Sequence, residues 1–401
     1  MRSSKTQIVI AGAGPVGSVA AYFLAINGID VILAETASEC ATDLRASTFH
    51  PPTLEMLDRL GLTDKLISKG LKAPIFHFRE RQTNEIIDFD MAEISDVTQY
   101  PYRLQCEQHH LSRMLTDALK EHARADVKFS HRLVGFNQDK EGVDVFLEAP
   151  TEILEVRADY LIGSDGANSI VRKWLNTEFI GFTYPEKFVC FTTKAPLENT
   201  LSNLAYVNYI SDPQEWVVLL RVPGLWRVLV PENEENNDAA LLSDAKKNQV
   251  FDGLLKTGPE IQTEHRTIYR VHQRVAKRFV HDRVITIGDA AHLNNPLGGF
   301  GMNSGIHDAV NLCEKLLQIY NNNGEADKLL PKFERQRQKT THDFIQMQSK
   351  KNMDFMKEGK SSEHMRRKIA FNKIKGDPEA RRQYLLNQSM IQCLRDEGEI
   401  Q

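Results

Sequence analysis

The sequence predicts an α/β fold: a Rossmann-like nucleotide-binding domain with an inserted, mainly antiparallel β-sheet and C-terminal helices. Three observations predict it. The apolar run Ile8 to Ala11 leads straight into Gly12-Ala13-Gly14-Pro15-Val16-Gly17 and a helical pattern. A middle stretch from about Phe179 to Arg270 repeats short β-type runs such as FVCFTT and EWVVLLRV. Beyond Gly305 the apolar spacing is mostly helical.

The chain has 401 residues, enough for two packed domains rather than one simple core. Its 41% hydrophobic and 26% charged residues are ordinary globular composition. A net charge of −4 gives no field that favours nucleic acid. From Pro331 onward, 16 Lys plus Arg stand against 10 Asp plus Glu. That surplus reads first as a solvated helical face and second as a partner or anionic lipid surface. Five scattered cysteines without a CxxC pair support neither a metal site nor a dithiol motif, and suit a reducing, cytoplasmic setting. The N-terminal apolar run is too short for a secretory signal. No run of about 18 apolar residues is present, so no transmembrane segment is expected.

The elements follow in order. Ile8 to Ala11 reads as a buried parallel strand, Gly14 to Ile26 as a helix, and Asp30 to Glu35 as the next strand. Leu54, Leu57 and Leu60 mark a helix ended by Gly61. Residues 75–100 look extended and alternating. Leu111, Met114, Leu115 and Leu119 restore helical spacing, and 127–162 carry short strands. Residues 238–257 interrupt the β-rich stretch with a helical pattern, and RVITIGD returns to a doubly buried strand. The nucleotide-binding domain is therefore expected to be discontinuous, over 1–74, 101–178 and 275–335. The inserted sheet takes 75–100 and 179–274, and 336–401 form a C-terminal helical segment.

Three loops carry the chemistry. In the first, Gly12 permits the tight turn, Gly14 lets backbone approach a pyrophosphate, and Gly17 lets helix pack on strand. The helix N-terminus points its positive end at the phosphates. Glu35, 18 residues beyond Gly17, is placed to accept from a ribose hydroxyl and would repel a 2′-phosphate. The second loop is Gly163-Ser164-Asp165-Gly166-Ala167-Asn168-Ser169, which spacing alone reads as a capped helix start. The third runs from Gly288-Asp289-Ala290-Ala291-His292 through Pro296 to Gly299-Phe300-Gly301-Met302-Asn303. Asp289 could take a hydroxyl, and the amides of Gly299 to Asn303 could hold negative charge.

GAGPVG, GSDGANSIVR and GDAAHLNNPLGGFGMNSGIHDAVNL, in that order, resemble the single-component (class A) flavin aromatic hydroxylases. The family includes p-hydroxybenzoate hydroxylase and 3-(3-hydroxyphenyl)propionate hydroxylase. The likeness covers roughly residues 7 to 340. It implies an FAD-binding domain with the inserted sheet as substrate domain. It also implies an NAD(P)H- and O2-dependent monooxygenase acting on an aromatic or heteroaromatic ring through a flavin C4a-hydroperoxide. Gly12, Gly14, Pro15, Val16, Gly17 and Glu35 would hold the ADP half of FAD. Arg45 would lie near the pyrophosphate and Gln108 would contact FAD. Asp165 and Gly166 match a motif linked to both FAD and NAD(P)H. Asp289 matches the ribityl-binding aspartate, and Pro296 with Gly299, Phe300, Gly301, Met302 and Asn303 the loop over the isoalloxazine. NADH or NADPH would visit transiently, which suits a single GxGxxG.

One departure is visible: Asn295 precedes Pro296 where many members carry two prolines. His50 and Pro296 are the candidates nearest the chemistry, and His292 is given an orienting role. Substrate candidates on the inserted sheet are Phe191, Tyr206, Tyr209, Trp216 and Trp226, with Arg221 or Arg227 for a carboxylate. Other readings are a flavin-dependent halogenase, a prenyl-lipid epoxidase or reductase, and a non-catalytic FAD-fold binding module. Val228 replaces the second Trp of the halogenase WxWxIP stretch. The C-terminal segment, with Phe344, Met347, Met353, Phe355 and Met356, is expected to cap the substrate entrance or form a homodimer.

Overall fold

The computed structural model describes residues 2–42, 46–83, 85–212, 215–255, 260–322, 324–356, 369 and 373–401. Its first layer is a six-stranded sheet. The order is Val280–His281, Val284–Thr286, Tyr160–Gly163, Ile8–Ala11, Val31–Ala34, Ala125–Lys128. All neighbours run parallel except the edge pair formed by the first two strands. The central strands are buried on both faces, which is why they read as unbroken apolar runs. Helices Pro15–Ile26, Gln108–Lys120 and Phe300–Tyr320 cover one face. A four-stranded sheet containing Arg132–Gln138, Val143–Glu148 and Ile153–Ala158 covers the other.

The second body is an eight-stranded sheet. It runs His292–Leu293, His265–Ala276, Phe179–Thr193, Leu225–Asn233, Val217–Val222, Val207–Ser211, Ile75–Glu80, Ile86–Asp90. Every pair is antiparallel but one, Val207–Ser211 with Ile75–Glu80. Alternation splits its side chains. Val189, Phe191, Trp226 and Val228 face helix Asp244–Leu255. Phe188, Cys190, Trp216 and Leu229 face Leu297 and the C-terminal helices. A small sheet of Thr48–Phe49, Arg103–Gln105 and Leu71–Ala73 sits at the junction of the two bodies.

Helix Ala326–Thr340 passes through a wide π-type turn, Thr341–Gln346, into helix Met347–Met356. Met353 and Met356 bury themselves against the sheet, Phe355 meets Phe78, and Phe344 meets Phe300. Met347 is exposed instead. Three basic residues of the C-terminal stretch meet acidic residues elsewhere in the chain. Lys375 pairs with Glu85, Arg381 with Glu93 and Arg382 with Asp96. Among the described residues, no helix is long and apolar enough to cross a membrane.

Candidate active site

Strands Val284–Thr286, Tyr160–Gly163 and Ile8–Ala11 are side by side and parallel. Their following loops, the three glycine-containing motifs, therefore emerge at one edge. Glu35 joins them from the fourth strand. Ligands of such sheets bind at the carboxyl ends of the strands.

The first loop divides its glycines by task. Gly12 has φ +102°, and a Cβ there would lie 2.5 Å from the Ser164 carbonyl oxygen. A Cβ on Gly17 would lie 2.0 Å from the Gly12 oxygen and 2.3 Å from Ser164 Oγ. Both are contact glycines. A Cβ on Gly14 would meet nothing within 4 Å, so no protein contact requires glycine there and the backbone is left open to approach. Pro15 opens the helix, where its missing N–H costs nothing. Val16 turns inward. A Cβ on Gly305 would come within 2.6 Å of Val16 Cγ2, and one on Gly288 within 3.1 Å. Val16 thus locks the first loop to the third. Glu35 accepts from the Ala13 N–H at 2.8 Å and the Ala37 N–H at 2.9 Å, which fixes its carboxylate beside the glycine turn.

Asp165 caps its own helix. Its carboxylate accepts from Ser169 Oγ at 2.5 Å, Ile170 N–H at 2.7 Å and Val171 N–H at 3.1 Å. Gly166 follows at φ +77° with open space beside it. Arg172 ties this loop to the third one, donating to the Ala167 oxygen at 2.7 Å and the Ala290 oxygen at 2.8 Å.

In the third loop, Asp289 and Pro296 are exposed. Gly299, at φ +72°, caps the 21-residue helix Phe300–Tyr320. The first amides of that helix have no partner within it. The side chains of Phe300 and Met302 are buried in the core, so these positions offer a ligand only their backbone. Asn303 also points inward. Its Nδ2 donates to the Thr48 and Gly299 oxygens, and its Oδ1 accepts the His50 N–H at 2.9 Å. Asn295 is buried as well, holding the Leu297 N–H, Tyr184 and Gln273. It shapes the loop from within.

His50 is buried, and its ring stacks on Phe300 at 5.6 Å. Its Nε2 lies 2.8 Å from the Gly298 oxygen, which can only accept, so Nε2 carries the proton. Burial, aided by the nearby Arg103 cation, pushes its pKa well below the ordinary histidine value. His292 donates through Nε2 to Asp308 at 2.7 Å in the core, an orienting position. Gln108 starts helix Gln108–Lys120, and its N–H is held by the Ala46 oxygen. Arg45 lies outside the described residues.

The substrate candidates separate by face. Phe191, Trp226 and Arg221 lie on the face turned to helix Asp244–Leu255, and the Arg221 guanidinium sits over Trp226. They point away from the junction. Tyr206 is exposed. Tyr209, Trp216 and Arg227 lie on the face turned to the junction. Arg227 reaches Ser47 Oγ at 3.4 Å and the Tyr269 hydroxyl at 3.2 Å.

Sequence reasoning missed one row. Along RLQCE, Leu104 and Cys106 enter the core, so Arg103, Gln105 and Glu107 share the opposite face. Arg103 Nε, Gln105 Nε2 and Glu107 Oε1 are all buried with no partner. Burial raises the Glu107 carboxyl's pKa while the Arg227 cation opposes the rise. Glu107, His109 and His110 also bring three ligand-type atoms within 4.8 Å of one another, but Arg227 opposes a second cation there.

These residues fit FAD. The open Gly14 position faces a helix N-terminus, Glu35 stands at the ribose distance along the chain, and a second helix N-terminus opens beside the exposed Asp289.

A family model described as an FAD binding domain matches residues 5–348. Para-nitrophenol 4-monooxygenase of Pseudomonas sp. strain WBC-3 is 32% identical, covering 95% of this chain and 94% of its own. The 6-hydroxy-3-succinoylpyridine 3-monooxygenase HspB of Pseudomonas putida is 34% identical over 88% of each chain. The crystal structure of p-nitrophenol 4-monooxygenase PnpA from Pseudomonas putida DLL-E4 superposes with a TM-score of 0.90. It is 29% identical, covering 97% of this chain and 99% of that one. The fold, the loops and these relatives agree: the chain belongs to the FAD-binding-domain family and is a class A, NAD(P)H-using, FAD-dependent aromatic monooxygenase.

Proposed function

We propose that the enzyme hydroxylates a small aromatic or heteroaromatic ring that already carries a hydroxyl group. The ring would sit between the Pro296–Gly299 loop and the Arg103, Gln105, Glu107 face. One observation carries this: buried polar atoms without partners gather on that face, opposite Tyr209 and Arg227 and beside the loop that His50 holds. Buried polar groups are normally satisfied, and a polar-substituted ring would satisfy these. The two relatives act, by name, on a nitrophenol and a hydroxylated pyridine.

The reaction consumes O2 and NAD(P)H with a proton, and yields the hydroxylated ring, NAD(P)+ and water. FAD, when bound, supplies the electron transfer and oxygen activation. The chain's residues bind and orient. Gly12 and Gly17 shape the turn, Gly14 and the helix after it would hold the pyrophosphate, and Arg45 would lie near the same group. Glu35 would hold the ribose, Asp289 would bind the ribityl chain, and Gln108 would contact FAD. Asp165 and Gly166 shape the nucleotide approach. The amides from Gly299 to Asn303 would hold negative charge on the pyrimidine side of the flavin. Pro296 and His50 set the loop geometry. The discontinuous segments 1–74, 101–178 and 275–335 make the FAD domain, and 75–100 with 179–274 the substrate domain.

The test is NADH and NADPH oxidation by the FAD-loaded protein across phenols and hydroxypyridines, with peroxide followed in parallel. A hydroxylated ring should stimulate oxidation without equivalent peroxide. Equal stimulation by rings lacking the hydroxyl would reject the proposal.

A further inference from the structure

Arg103 and Arg337 are both buried arginines, at 1% and 0% exposure, and the fold treats them differently. Arg337 is paired with two carboxylates, Asp308 and Glu397. Arg103 has neutral neighbours. It donates to the Tyr209 hydroxyl at 3.2 Å and to the Gln388 carbonyl oxygen at 3.4 Å, both long. Its guanidinium carbon lies 4.0 Å from the centre of the Phe76 ring. Its Nε has no partner. Among the described residues, no carboxylate pairs with it.

A cation taken out of water costs several kcal/mol unless an opposite charge or strong hydrogen bonds compensate. Two long bonds to neutral oxygens and one ring compensate in part. The surroundings are aromatic. Phe76 stacks on Phe89 at 4.8 Å, Phe89 meets Tyr384 at 4.7 Å, and Tyr209 meets the Phe76 ring edge-on at 6.4 Å. Gln105 adds a second unmet donor on the same strand face. Its Oε1 is taken by Thr48 Oγ1 at 3.1 Å, which leaves Nε2 free to donate.

We infer that Arg103, assisted by Gln105, binds an oxyanion on the aromatic substrate and makes the enzyme selective for anionic rings. The oxyanion is an ionised phenol oxygen or a ring-borne carboxylate. The guanidinium donates two hydrogen bonds to it, and its charge favours the ionised over the protonated phenol. This deepens the proposed substrate site and rests on that reading. Arg103 is a specificity residue: it contacts substrate and takes no part in electron transfer.

The experiment titrates the FAD-loaded enzyme, without NAD(P)H, by the perturbation of flavin absorbance. The probes are 4-nitrophenol against 4-nitroanisole, and 4-hydroxybenzoate against its methyl ester. Wild type should bind at least one anionic probe ~10–100-fold more tightly than its neutral mate, the range expected for hydrogen bonds to a charged group. Which pair shows the preference tells phenolate from carboxylate. Arg103→Met should abolish the preference by weakening the anion alone, and Arg103→Lys should retain part of it. Thermal melting and FAD content of each variant show whether it is folded. The wild-type preference is readable even if Arg103→Met fails to fold. An Arg103→Met enzyme that keeps FAD and the full preference would overturn the inference and leave the substrate reading intact. Wild type that binds both members of each pair equally would overturn it too. Wild type that binds none of the four rings would overturn both.

Discussion

Asp308 accepts the Arg337 Nε at 2.6 Å, with both side chains fully buried. The other Asp308 oxygen accepts the Gly288 N–H at 2.9 Å and His292 Nε2 at 2.7 Å. Arg337 continues to Glu397, whose Oε1 also accepts from Asn311 at 2.6 Å. One carboxylate in helix Phe300–Tyr320 therefore joins the loop at Gly288 to the C-terminal helix Ile391–Gly398.

Removing one partner should be far worse than removing both. Asp308→Asn leaves Arg337 short of charge in a dry core and should cost about 3–5 kcal/mol. Arg337→Met together with Asp308→Asn should recover part of that loss, because Asn311 and Thr340 still donate to the Glu397 carboxylate that Arg337 leaves. Urea unfolding of the single and double variants measures the coupling, and additive losses would contradict the pairing.

The same carboxyl sets an acid limit. Burial disfavours its charge, but His292 and Arg337 outweigh burial and hold its pKa at about 2. An unfolded aspartate titrates near 3.9. The unfolded chain therefore takes up this proton first as pH falls. The stabilisation is present above about pH 4 and is lost on going down to about 2, on the order of 2 kcal/mol. Stability curves across that window should be steeper for wild type than for the Asp308→Asn, Arg337→Met enzyme.

Gly14 and Gly17 should fail in different ways. Gly14 has φ −68° and open space beside it, so Gly14→Ala should leave the FAD-free protein within about 1 kcal/mol of wild type. FAD affinity should fall on the order of tenfold or more, because the added methyl occupies the pyrophosphate approach. Gly17→Ala would press a methyl to 2.0 Å from backbone and should destabilise the protein itself. Melting with and without FAD separates the two effects.

His50 should not appear in the pH–rate profile. Its pKa is pushed well below neutral by burial and by Arg103. His50→Gln should lower turnover and FAD retention by loosening the Gly298 loop. The shape of the profile between pH 6 and 8 should stay the same. A limb near pH 6.5 that vanishes in His50→Gln would make His50 an acid–base group instead.

Much of this was legible in the sequence, and for physical reasons. Each of the three glycine-containing loops follows a doubly buried strand, and only glycine fits where backbone meets backbone, as at Gly12 and Gly17. The pattern that marks the loops is thus the packing itself. The substrate side was less legible. Both faces of the eight-stranded sheet are covered, so alternation showed that Cys190 and Phe191 point apart but not which one faces the junction. Arg221 and Arg227 look equivalent in sequence and lie on opposite faces. The Arg103, Gln105, Glu107 row spans only five residues and runs into a helix, so its period was too short to stand out. Its meaning comes from the distant Tyr209 and Gln388 that pack over it. The tie from His292 to the C-terminus was similarly invisible, because Asp308 and Arg337 are ordinary helix residues until the helices are packed.

The most direct test of the central claim is product mass after turnover under isotopically labelled O2, with NAD(P)H and a hydroxylated ring that stimulates its oxidation. The account predicts a product heavier by one labelled oxygen, formed in proportion to the NAD(P)H consumed. Peroxide as the only oxygen product for every such ring, or a product whose new oxygen comes from water, would contradict it.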